Sequence, residues 1–146
     1  MMRMKISASV LIFAFLGIGI LPPLFAHAPP EEAKVFFIGL EDGAVVKSPV
    51  KIRFGIRGYG ITPAGTRGEI RHTAGHHHVL LDVPGLPDME SPIPQDSRHL
   101  HFDKGETETL LELAPGNHTL QLLLGDESHE PLDPPLVSER ITIIVR

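Results

Sequence analysis

The sequence contains no cysteine and no tryptophan, and tyrosine occurs once, at Tyr59. Without cysteine the chain forms no disulfide, offers no thiolate ligand or thiol nucleophile, and cannot be lipidated as a bacterial lipoprotein is. Beyond Met4 the only methionine is Met89, which argues against a soft Cu(I) site built from thiolates or thioethers. No Gly-x-Ser-x-Gly elbow and no phosphate-binding loop occurs. Ser91, Ser97, Ser128 and Ser138 stand near prolines or acids, away from any strand-turn-helix context. No catalytic residue emerges, and the chain reads as a non-enzyme.

Long apolar runs are equally scarce. The only one, Ile6–Leu21, covers 16 positions, short of the roughly 20 that a membrane-spanning helix needs. It follows Arg3 and Lys5 and precedes Phe25-Ala26-His27-Ala28, the three parts of a secretory leader. An uncleaved anchor is the other reading. A cut after Ala28 would leave Pro29 next to the scissile bond, so a signal peptide over residues 1–26 is expected, with His27 as the first mature residue. The mature chain is then a periplasmic or secreted protein with no stable membrane insertion after leader removal. Loss of Arg3 and Lys5 leaves 11 basic residues against 18 acidic ones, a formal charge of −7. That balance argues against nucleic acid and anionic membrane surfaces as partners; its plainest meaning is solubility.

Beyond the leader the chain shows strand-and-turn punctuation. Residues 27–33 form a proline-rich linker, and 34–146 a single domain. Strands are expected over Lys34–Leu40, Val50–Arg57, His76–Val83, Thr107–Leu113, His118–Leu124 and Val137–Val145, with a short one near Tyr59–Ile61. Val50, Ile52, Phe54 and Ile56 alternate with Lys51, Arg53 and Arg57 among others, the mark of a half-buried strand. Ala114-Pro115-Gly116-Asn117 signals a hairpin. Six or seven strands and no helical periodicity predict an all-β, immunoglobulin-like β-sandwich, with a cupin-like or jelly-roll arrangement as the alternative.

Histidine is the residue in excess. Eight lie beyond His27, grouped as His76-His77-His78, His99-Leu100-His101 and Asp126-x-x-His129, with His72 and His118 apart. On a strand, residues two apart share a face, so His76 pairs with His78 and His99 with His101. Two such pairs suit a β-scaffold metal site, because neutral imidazole is the commonest ligand for zinc and copper. The candidate ligands are His76, His78, His99, His101 and His129, with Asp126 able to complete the shell. Imidazole with carboxylate suits Cu(II) or Zn(II). His27, if N-terminal, could chelate Cu(II) through both its amino group and its ring. The competing readings are a structural hydrogen-bond network with nearby acids and a non-catalytic envelope interaction module recognising a protein or glycan. His118 is expected to pin the hairpin, and His72 to be a loop residue.

Lys34-Val35-Phe36-Phe37-Ile38, Glu41–Val50, Gly75-His76-His77-His78-Val79-Leu80-Leu81-Asp82, His99–Glu108 and His118–Asp126 resemble a small family of exported bacterial domains, domain-of-unknown-function family 4399. The resemblance covers nearly all of Lys34–Val145. It implies a secreted, single-domain, sandwich-like protein with no assigned activity. In the family pattern a second histidine comes after the last one, near the Pro-Pro pair. Leu132 and Asp133 occupy that stretch here, so a ligand shell drawing on it is altered in this chain.

Overall fold

The computed structural model describes residues 28–146; the expected leader over 1–26, its cleavage point and His27 lie outside the described residues. The strands are β1 (Lys34–Phe37), β2 (Val45–Val46), β3 (Val50–Arg57), β4 (Gly60–Ile61), β5 (Ala74–Leu81), β6 (His99–His101), β7 (Glu108–Leu111), β8 (Gly116–Gly125) and β9 (Ile141–Val145). Seven of them exceed two residues. One 3-10 turn, Glu69–His72, interrupts the glycine-rich loop. Among the described residues no helix is long and apolar enough to cross a membrane.

Two sheets form, β1-β3-β7 and β2-β9-β8-β5-β4, with β6 also paired to β5. In β3 the alternation does what it predicts: Val50, Ile52 and Phe54 are buried while Lys51 and Arg53 are exposed. Those inward residues pack with Val35 of β1 against Val79, Leu120, Leu122, Leu124, Ile143 and Val145 of the larger sheet. Each such side chain removed from water contributes about 1.5–3 kcal/mol, so this interlayer core holds the immunoglobulin-like sandwich together. At the facing edge Gly55 lies beneath the ring of Phe36, where a β-carbon would collide with it.

The 114–117 turn is the main departure from expectation. It does not close a hairpin: β7 pairs with β3 in the small sheet, whereas β8 pairs with β5 and β9 in the large one. Pro115 and Gly116 therefore carry the chain from one layer to the other. Local turn chemistry is the same in both cases, and the distant partner strands decide between them. His118 still fastens this connection, with its Nε2 2.9 Å from the Ala114 carbonyl oxygen and its Nδ1 2.8 Å from Asp82 Oδ2. The last strand is shorter than expected, because the Ser138 hydroxyl, not a backbone carbonyl, accepts the Leu122 N–H. Of the linker residues, Ala33 turns back on Pro30 through a 2.9 Å backbone hydrogen bond and joins the core.

The strand β5 is the centre of the site. Seven of its eight residues, Ala74–Leu80, are buried, so both of its faces are covered. His77 and Val79 face the small sheet, where the His77 ring lies 5.1 Å from that of Phe54. By alternation His76, His78 and Leu80 face outward. Ile93, from the proline-rich loop, and the 126–137 segment cover that outer face. Ile93 N–H donates to the His129 carbonyl at 2.8 Å, and Leu123 and Gly125 form bridges to Val137 and Pro131.

Candidate metal centre

The site is assembled by strand register. β6 runs antiparallel to β5 with His101 opposite His78, Leu100 opposite Val79 and His99 opposite Leu80. His76, His78 and His101 thus fall on one face of adjacent strands. Their rings are mutually close, with centroids 4.7 Å apart for His76–His78, 5.0 Å for His76–His101 and 4.6 Å for His78–His101. One ligand atom from each lies within 4.8 Å of those of the other two. A tetrahedral ion about 2.0–2.1 Å from each imidazole nitrogen places neighbouring nitrogens about 3.3 Å apart. The three side chains could hold a metal ion.

Space for this packing comes from Gly125. It stands opposite His76 on β8, and a β-carbon there would meet His78 Cε1 at 2.6 Å and Ile93 Cδ1 at 3.3 Å. By local pattern alone, Gly125 is only part of a turn. Its role as the floor under the His78 ring depends on a partner strand more than 40 residues away in the chain.

The electrostatics suit ligation. Burial pushes His76 down to about 4, and the neighbouring His101 and His129 add to the effect. His78 falls to about 2, through burial first and then His76, His101 and His129. His101 is lowered by burial and by His129, with the carboxylates of Asp103 and Glu106 acting in the opposite sense. At neutral pH the rings are uncharged, so each has a lone pair. Both ring nitrogens of His76 and His78, and Nε2 of His101, are buried without a hydrogen-bond partner. Buried polar groups are seldom left in that state, and a cation on the lone pairs would give one nitrogen of each ring a partner.

The remaining candidates divide. The His129 ring joins the group, 4.4 Å from His101 and 5.0 Å from His76 by centroid and edge-on to both. His99 is drawn away to Asp96, whose Oδ1 lies 2.9 Å from His99 Nδ1 and also accepts the N–H groups of Arg98 and His99. The structure does not bring His99 into the cluster. Asp126 stays at the base of its loop, where Oδ1 accepts the Ser128 and Glu130 N–H groups at 2.7 and 3.0 Å. It shapes the turn that carries His129. His77, on the inner face, is buried with neither ring nitrogen partnered and is lowered to about 4 by burial. His72 ends the 3-10 turn, far along the loop.

Fold and site together define a class: an immunoglobulin-like sandwich domain whose large sheet carries three convergent imidazoles on the face turned from its partner sheet. A family model described as "Domain of unknown function (DUF4399)" matches residues 52–146, and the chain belongs to that family. No curated protein matches it. Among solved structures, the fibronectin(III)-like modules of Clostridium thermocellum CbhA align at 13% identity with a TM-score of 0.43. That alignment covers 78% of this chain and 46% of the other, so the chain spans less than half the length of that structure.

Proposed function

We propose that this domain binds one divalent transition-metal ion, Cu(II) or Zn(II), through His76, His78 and His101, and that it does so in the periplasm or outside the cell. The observation that carries the reading is the convergence of three uncharged imidazoles, His76 and His78 buried and His101 half-buried, with unpartnered nitrogens and ligand atoms within 4.8 Å of one another. The donor set is nitrogen alone, and imidazole favours copper and zinc over the harder magnesium or calcium. Extracytoplasmic placement rests on the leader pattern of residues 1–26. The protein holds the ion and performs no chemistry on a substrate, a reading supported by the lack of any nucleophile motif in the sequence.

Isothermal titration of the protein with Zn(II) and Cu(II) at pH 7 tests this. One ion per chain should bind in the micromolar range or tighter, and a His76→Ala/His101→Ala variant should lose that binding. Binding no tighter than the high micromolar range, or an unchanged affinity in the double variant, contradicts it.

A further inference from the structure

The three sheet histidines reach an ion from one side only. They rise from adjacent strands of one sheet, so the side away from the sheet is left for a fourth donor. Tetrahedral zinc takes four, and a three-histidine site otherwise keeps a water or substrate in the open position. The side chain above the cluster is His129, which approaches His101, His76 and His78 with ring centroids at 4.4, 5.0 and 6.4 Å.

The backbone at this position is unusual. His129 has φ 68°, in the left-handed region that glycine adopts freely and residues with a β-carbon adopt at a cost. The loop fixes it there from several directions. Asp126 Oδ1 takes the N–H groups on either side, from Ser128 and Glu130. His129 N–H donates to the Asp126 carbonyl at 3.1 Å, Asp126 N–H to the Glu130 carbonyl at 2.8 Å, and Ile93 N–H to the His129 carbonyl at 2.8 Å. A turn of this shape needs glycine for comfort and instead holds an imidazole over three others. Strained positions that their surroundings over-determine in this way concentrate at ligand clamps.

From this we infer that His129 is the fourth ligand, so that the ion is enclosed by four imidazoles with no position open to water or substrate. This rests on the proposed metal binding and extends it: a closed shell fits a protein that stores, buffers or hands on an ion, whereas an open one fits a hydrolytic centre. The ring stands edge-on to its neighbours and is absent from the group whose ligand atoms all lie within 4.8 Å. A ring rotation at His129 therefore completes the shell when the ion arrives. Asp126, the carboxylate three residues before His129, is already committed to the turn.

Cobalt(II) reports coordination number through its visible spectrum, and His129→Gly removes the imidazole while relieving the backbone. The wild-type protein loaded with Co(II) should give the intense visible bands of four-coordination, unchanged between about pH 6.5 and 9 because no water is bound. His129→Gly should keep bands of similar strength but gain a spectrum that changes with pH, as a water in the opened fourth position gives up its proton. Its Zn(II) affinity should fall by at least the roughly 10–100-fold that loss of a mere supporting residue causes, and the metal-free variant should melt no lower than wild type. Weak bands or a pH-dependent spectrum in the wild-type protein, or a spectrum and affinity unchanged in His129→Gly, overturn the four-imidazole shell while leaving three-histidine binding intact. Failure of the wild-type protein to bind either metal removes both readings.

Discussion

His78 of β5 and His101 of β6 are register partners across an antiparallel pair, and their ring centroids lie 4.6 Å apart. That pairing creates the site. With β6 shifted by one residue, Leu100 would face His78 and His101 would point into the sandwich. The proposed metal centre is thus as secure as the β5–β6 ladder, and point substitutions can separate proposed ligands from residues that support them.

Gly125→Ala should impair the site without touching a ligand. The added methyl would meet His78 Cε1 at 2.6 Å, and both atoms belong to a packed sheet with little freedom to move. Overpacking of this kind costs about 1–3 kcal/mol. Urea denaturation should show that loss, and zinc titration a fall in affinity of about tenfold or more, the change that 1.4 kcal/mol produces.

His99 and His101 should behave differently although they flank the same leucine. His101→Ala removes a proposed ligand and should abolish tight metal binding. His99→Ala breaks the contact with Asp96, and should lower Tm by a few degrees with metal affinity within about twofold of wild type; one kcal/mol shifts Tm by several degrees in a domain of this size. Equal losses of affinity in the two variants would place His99 in the shell.

How far the sequence alone reveals this depends on the range of each interaction. Val50–Arg57 alternates because one face is wet, and that pattern is local. The pairing of His76 with His78 is legible for the same reason, through the period of two. What brings His101 to them, and leaves His99 beside Asp96, is the register of β6 against β5 across the proline-rich loop, which no local pattern encodes. The turn at Pro115-Gly116 misleads in the same way, since its residues fit a tight turn whether the next strand lies in the same sheet or the other one. Asp126 has the look of a ligand because it precedes His129 by three residues. That spacing serves an Asx turn, whose carboxylate is spent on backbone N–H groups.

His77 tests which way the triple histidine faces. It packs on Phe54 inside the sandwich with neither ring nitrogen partnered. His77→Leu replaces a buried unsatisfied ring by an apolar side chain, a change that is neutral or stabilising by about 1 kcal/mol. Metal affinity should stay unchanged. A loss of binding in this variant would mean that β5 presents the opposite face to the site.

The stability of the fold should carry a pH signature from His118, remote from the metal centre. Its hydrogen bond to Asp82, and then the contact with the Ala114 carbonyl, raise its pKa above the usual 6.5. Folding therefore takes up a proton, so the contribution is complete below about pH 6.5 and is lost as pH rises through the raised value. The pair is partly exposed, with Asp82 40% accessible, which limits it to about 0.5–1 kcal/mol. Denaturation of wild type and His118→Gln should differ by that amount at pH 5.5 and converge by pH 9. A difference that grows with pH would contradict the ion pair.

The most direct test is X-ray absorption at the zinc edge of the protein loaded with one equivalent of Zn(II). Three or four nitrogen scatterers at about 2.0–2.1 Å, with the outer-shell features of imidazole rings, are the predicted result. A shell of oxygen scatterers without imidazole features would contradict the histidine centre.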